Sequence, residues 1–104
     1  MLIDLYDGEI RYNDMRIGEF LDELRERDLL ENSLLIFPAD HGDGFYEHGY
    51  YEHPRYLHDE ITHVPMLVRM PEGKSGEVDA PVSTLDVRST IEEEVGISDG
   101  VSLF

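Results

Sequence analysis

Apolar residues in "DGEIRYNDMRIGEFLDELRERDLLENS" recur at Ile10, Ile17, Leu21 and Leu24, at intervals of seven, four and three. On a 3.6-residue turn this spacing keeps one face apolar and predicts a helix from about Asp7 to about Arg27. Acids crowd its start and arginines its end, as the helix dipole favours. "DLLENS" then reads as a connecting turn. In "SLLIFPAD" the pattern changes to a short continuous apolar run bounded by turn formers, which predicts a strand buried on both faces of a parallel sheet. Pro38 falls at its end, where a missing N–H costs little. Residues 39–60 hold Gly, His, Tyr and acids without sustained periodicity. They predict a long loop with one helical turn near residues 56–60, and loops of that length inside small domains are usually functional. "HVPMLVRMP" predicts a second buried strand at about residues 64–70, closed by Pro71. "EGKSGEVD" is a surface turn. "APVSTLDVRSTIEEEVGI" predicts a helix at about residues 85–95, with Ser83 or Thr84 as N-cap, Asp86 near the first turn and Gly96 as the C-terminal stop.

Helix, strand, loop, strand, helix is an α/β order. Two strands do not make an independent sheet, and an apolar parallel strand expects neighbours on both sides. The pattern therefore predicts the C-terminal part of a larger α/β domain, or a chain whose exposed sheet edges pair with a second copy as a homodimer.

Composition narrows the range of partners. At 104 residues the chain is one small domain or part of one. It has 24 acidic against 8 basic residues, a net charge of −16. This argues against nucleic acid and anionic membrane as partners, since both depend on clustered Lys and Arg. A hydrophobic content of 40% with clear periodicity argues against disorder as the source of the acidity. The expectation is instead a surface adapted to high salt, where self-repulsion is screened. Folded signal should then fall on dialysis from molar to millimolar salt. The absence of cysteine rules out disulfides and thiolate metal sites. No run approaches the ~18 consecutive apolar residues of a membrane span, and no basic segment precedes an apolar one at the N-terminus, so the chain as it stands reads as soluble and cytoplasmic.

The chemistry concentrates at Asp40-His41-Gly42. Adjacent side chains on a strand point to opposite faces, so Asp40 and His41 converge only if the backbone has begun to turn. Gly42 makes such a turn cheap. Open α/β sheets place ligands at the carboxyl ends of strands, where this tripeptide falls. A carboxylate oxygen with an imidazole nitrogen suits a divalent cation. The competing reading is a turn in which Asp40 caps backbone N–H groups and His41 is only exposed.

A wider pattern surrounds the tripeptide: Tyr6, Asp7, Ile10 and Asp14 on the acidic helix; Asp40, His41 and Gly42 after the strand; His48, Gly49 and His53; Val64-Pro65; then Val82, Ser83, Asp86, Thr90 and Gly96. Across about residues 4–97 this resembles the C-terminal half of the sulfatase family, in the alkaline phosphatase superfamily. The resemblance implies an α/β fold, part of an alkaline-phosphatase-like three-layer sandwich. It implies that Asp40 and His41 are metal ligands, that His53 contacts the sulfate or phosphate oxyanion, and that His48 makes an adjoining or substrate contact. Either His48 or His53 would shuttle a proton to the leaving oxygen. Ala39 stands where the family usually has Ser or Thr, and Asp43 where many members have Glu.

The family's Cys/Ser-x-Pro-x-Arg motif, source of the formylglycine nucleophile, is not in these residues, nor is the early aspartate pair that completes the metal site. The chain by itself is therefore expected to lack turnover. Nitrogen donation leans toward Mn²⁺ or Zn²⁺, whereas the resemblance implies Ca²⁺ first, or Mg²⁺. It implies a sulfuric ester hydrolase. Phosphatase, phosphonate hydrolase and phosphotransferase chemistry are superfamily alternatives, and a non-catalytic self-associating module is a further one. His58 and His63 read as structural, Tyr46, Tyr50, Tyr51 and Tyr56 as loop packing, and "IEEEV" as a solvated helix face.

Overall fold

The structure, a computed structural model, describes residues 2–53, 55–73 and 76–97. Helix α1 runs over Leu2–Glu26. It starts five residues earlier than the apolar spacing predicts, because Leu2, Ile3 and Leu5 extend the helical run back from Asp7. Asp28, at φ 55°, turns the chain out of it. A single 3-10 turn over Leu30–Asn32 leads into β1, Leu35–Pro38. Strand β4, Met66–Arg69, pairs with β1 in the register Leu35↔Arg69 through Pro38↔Met66. Helix α3 covers Asp86–Glu94.

The pairing of β1 with β4 is antiparallel, which corrects the expectation of a parallel pair. A parallel neighbour needs a crossover that carries the chain back to the strand's starting end. Residues 39–65 instead double back at the end where β1 stops. A continuous apolar run reports burial and carries no information about strand direction. The side chains of Leu35, Ile36 and Phe37 are in fact half-buried rather than covered on both faces.

Within the predicted loop the chain makes a small hairpin, β2 at Gly44–Phe45 and β3 at Tyr51–Glu52, followed by a one-turn helix α2 at Asp59–Thr62. The hairpin turn is closed by Tyr46 N–H donating to the Tyr50 carbonyl at 2.9 Å and by Gly49 N–H donating to Tyr46 at 3.2 Å. Tyr46 and Glu52 both hold positive φ, 84° and 65°. That conformation costs a non-glycine residue of order 1 kcal/mol or more, so the surrounding contacts must hold it. The Tyr6 ring meets Phe45 edge-on at 5.0 Å and seats the hairpin against α1.

At the N-terminus of α3, Leu85 N–H donates to Ser83 Oγ, and Ser83 N–H donates to the Asp86 carboxylate at 2.8 Å. The N-cap position of α3 is Leu85, which makes no side-chain cap, so neither Ser83 nor Thr84 caps the helix as expected; the Ser83–Asp86 exchange closes the turn that leads into it. Gly96 at φ 77° ends the helix as expected. The turn expected at residues 72–79 lies partly outside the described residues.

Little of the apolar surface is covered. Among the described residues only Leu30 and Ile61 are buried hydrophobics, while Leu5, Ile10, Met15 and Phe20 along α1, Leu67 on β4 and Val95 after α3 are exposed. The accessible surface is 8681 Å², against about 6,000 Å² for a closed domain of 12.0 kDa. The polypeptide thus presents apolar faces that a larger α/β domain would cover. No helix among the described residues is long and apolar enough to cross a membrane.

Because α1 packs so loosely, its stability rests on local propensity. A Cβ built on Gly18 meets nothing within 4 Å. Gly18→Ala should therefore stabilise the helix by about 1 kcal/mol, the propensity difference alone, read as a rise in helical circular dichroism and melting midpoint.

Candidate metal centre

The residues after β1 fold back on α2. Gly42 N–H donates to the Ile61 carbonyl at 2.8 Å, and a Cβ on Gly42 would lie 2.0 Å from the Glu60 carbonyl oxygen. Glycine is required here because two backbones touch, which is a tighter constraint than the turn flexibility the sequence suggests.

Asp40 accepts the His41 backbone N–H on Oδ1 at 3.0 Å. The His41 ring Nδ1 lies 3.1 Å from the Gly42 carbonyl. A carbonyl only accepts, so that bond places the proton on Nδ1 and leaves a lone pair on Nε2. His41 Nε2 faces Asp40 Oδ2 at 3.7 Å. In the neutral ring a lone pair thus faces a carboxylate oxygen; a proton on Nε2, which makes the contact an ion pair, or a bound cation offsets this. The donor chemistry of the pair fits a divalent ion.

His53 stacks on His41 with ring centroids 4.0 Å apart. Its Nδ1 is 2.9 Å from Asp43 Oδ1, and by the same reasoning its Nε2 is left free. His41, Asp43 and His53 each offer one ligand atom, and these atoms all lie within 4.8 Å of one another. Asp40 and His41 also line an open cleft of about 340 Å³ between α2 and the segment at Val82–Thr84, with Leu57, Ile61 and Met66.

The structure therefore brings Asp40, His41 and His53 together and adds Asp43, which sequence reasoning passed over as a departure from a family pattern. A signal was available: residues i and i+2 of an extended chain share a face, which puts Asp43 beside His41.

His48 is held apart from this group. Its ring lies flat on His58, centroids 3.9 Å apart and planes 4° from parallel, and its Nδ1 is 2.7 Å from Glu60 Oε1. Tyr50 donates its hydroxyl to the same oxygen at 2.7 Å. His58 is half-buried, and its carbonyl accepts the N–H groups of Ile61 and Thr62, so it anchors α2 as the structural reading expects. His63 is exposed and its backbone N–H closes that helical turn onto Asp59.

The hydrogen bond from His48, aided by that from Tyr50, outweighs desolvation and holds the Glu60 carboxyl down to about 2 from an ordinary 4.5. Burial first, then the Glu60 bond, pushes the Tyr50 hydroxyl up to about 12. Because Glu60's folded value lies below its unfolded one, the unfolded chain binds more protons between pH 4.5 and 2. The carboxylate's contribution is complete above about pH 4.5 and is lost as pH falls toward 2. An acid titration of the folded signal should therefore lose part of its pH dependence in that window when Glu60 is replaced by Gln.

Comparison with known proteins adds an independent line. The sulfatase family model matches residues 2–97. The chain is 33% identical to a choline-sulfatase of Rhizobium meliloti (strain 1021), over 94% of its own length and 20% of the relative's. It is 34% identical to arylsulfatase K of Danio rerio, over 81% of this chain and 16% of that one. It is 32% identical to an uncharacterized sulfatase, YidJ, of Escherichia coli (strain K12), over 75% of this chain and 16% of the other. The chain thus spans a fifth or less of the length of these relatives. No solved structure matches.

Proposed function

Since the chain belongs to the sulfatase family, we propose that it is the part of a metal-dependent sulfuric ester hydrolase that supplies one side of the cation site and the contacts to the transferred oxyanion. The observation that supports this reading is the approach of Asp40 Oδ2 to His41 Nε2, 3.7 Å apart at the end of β1. Asp40 and His41 would hold a divalent ion, which when bound would supply Lewis-acid polarisation of an ester oxygen. His53 is stacked on His41 and tied through Nδ1 to Asp43, which leaves its Nε2 as the nitrogen available to substrate. When protonated it donates to a sulfate oxygen and offsets the charge that develops there. His48 or His53 exchanges a proton with the leaving oxygen.

We take Ca²⁺ first, as the family resemblance implies, with Mg²⁺, Mn²⁺ and Zn²⁺ as alternatives. The second reading of the ligand set is His41, Asp43 and His53, favoured by the closeness of their ligand atoms. Two imidazoles with one carboxylate would move the preference to Mn²⁺ or Zn²⁺.

The chain holds no cysteine and no Ser-x-Pro-x-Arg from which a formylglycine nucleophile could form. We therefore expect these 104 residues to bind the cation without turning over ester. Incubation with chromogenic aryl sulfate and aryl phosphate in the presence of each cation should release no phenol. Release from either would show a nucleophile within this chain, and preference for the phosphate would replace the sulfate assignment with phosphoryl chemistry.

A further inference from the structure

Glu60 belongs to neither the cation pair nor its neighbours, yet it touches both halves of the site. Its backbone carbonyl lies against Gly42, at the distance that forbids a side chain there, and the next carbonyl, of Ile61, takes the Gly42 N–H. Its carboxylate reaches the other way, to His48 Nδ1 and the Tyr50 hydroxyl, both at 2.7 Å on the one oxygen Oε1. The side chain is largely covered, 16% exposed, while His48 is half-exposed. His58, the residue before α2, stacks against the other side of the same imidazole assembly.

We propose that Glu60 is a positioning residue: it ties the His48–Tyr50 turn of the hairpin to the Asp40–Gly42 turn, and it fixes His48 with its proton on Nδ1 and its Nε2 free for substrate. A carboxylate can only accept, so a ring nitrogen 2.7 Å from it carries the proton. His48 in that state offers a defined nitrogen in a defined plane, clamped between the His58 face and the Glu60 oxygen. A carboxylate behind a working imidazole sets which nitrogen faces outward and how the ring is turned. The depressed ionisation of Glu60 and the raised one of Tyr50 agree with the geometry, since both place a persistent negative charge at this oxygen. What His48 does to a substrate rests on the function proposed above, whereas the tautomer and the tie between the two turns do not.

Nitrogen-15 correlation spectra of the imidazole rings in the full chain test it. In the wild type, neutral His48 should be the Nδ1–H tautomer. Glu60→Met keeps the stem and removes both acceptors; it should abolish that preference and lower the Tyr50 midpoint from about 12 toward 10. Glu60→Gln keeps one acceptor oxygen and should restore the tautomer in part. An Nε2–H tautomer in the wild type, or an unaltered His48 signal in a folded Glu60→Met variant, would overturn the proposal. Should Glu60→Met fail to fold, the wild-type tautomer and the Glu60→Gln spectrum still decide. Adding Ca²⁺ or Zn²⁺ to the same samples reads the His41 and His53 rings separately. A failure of the cation reading is thereby distinguished from a failure at His48.

Discussion

Replacing Gly42 with Ala should destabilise the chain by roughly 3 kcal/mol, the upper end of what overpacking costs, and should cost the cation site its shape. The added Cβ falls 2.0 Å from the Glu60 carbonyl oxygen and 3.1 Å from its carbon. Those are backbone atoms and have no rotamer to escape into. Either α2 moves away, breaking the Gly42 to Ile61 hydrogen bond, or the turn after β1 reopens. Both movements separate His41 from its neighbours. Urea unfolding of the variant beside the parent reads the stability loss, and Gly18→Ala serves as the internal contrast, since it adds the same methyl to open space. Equal midpoints for parent and Gly42→Ala would show that the turn does not pack on α2.

The second large effect is on cation binding. His41→Ala removes the one nitrogen shared by both ligand sets and should lower affinity by more than about 100-fold, above the range for loss of a merely orienting partner. Isothermal titration with Ca²⁺, Mg²⁺, Mn²⁺ and Zn²⁺ measures it. The carboxylates then separate the two sets. Asp40→Ala should abolish binding if the ion sits between Asp40 and His41. Asp43→Ala should do so if it sits among His41, Asp43 and His53. An unchanged isotherm in His41→Ala would remove this end of β1 from consideration altogether. The carboxylates are also the reason to hold ionic strength fixed across the series, because a net charge of −16 attracts any divalent ion weakly.

The elements whose signals are local were legible in the sequence. The spacing of Ile10, Ile17, Leu21 and Leu24 marks α1, Gly96 marks the stop of α3, and the run Leu34–Phe37 marks β1. Strand direction was hidden, since an apolar run pairs either way and the deciding factor was the course of residues 39–65. The hairpin at Gly44–Glu52 was hidden too, because its strands are two residues long and two of its residues, Tyr46 and Glu52, hold positive φ against their own preference.

At the site, Asp40, His41 and His53 were found through a family pattern, and the structure draws them together by a stacked ring pair and a carboxylate approach of 3.7 Å. Asp43 was legible through its i, i+2 spacing from His41, although its tie to His53 spans ten residues. Glu60 was missed for a different reason: it acts through His48, and no spacing rule along the chain reports a contact of that kind. Incomplete closure was expected on the argument that two strands do not make an independent sheet, but β4 was expected to be buried and instead leaves Leu67 exposed; among the described residues Leu30 and Ile61 are the buried hydrophobics.

One titration reaches the heart of this account, which is that the chain folds back after β1 so that a carboxylate and an imidazole share one ion. Zn²⁺, and Ca²⁺ in parallel, are added to the nitrogen-15-labelled chain while every histidine ring is followed. The account predicts a saturable shift at His41 Nε2, a smaller one at the stacked His53 ring, and still signals from His48, His58 and His63. Movement at His48 and His58 with His41 silent would contradict it.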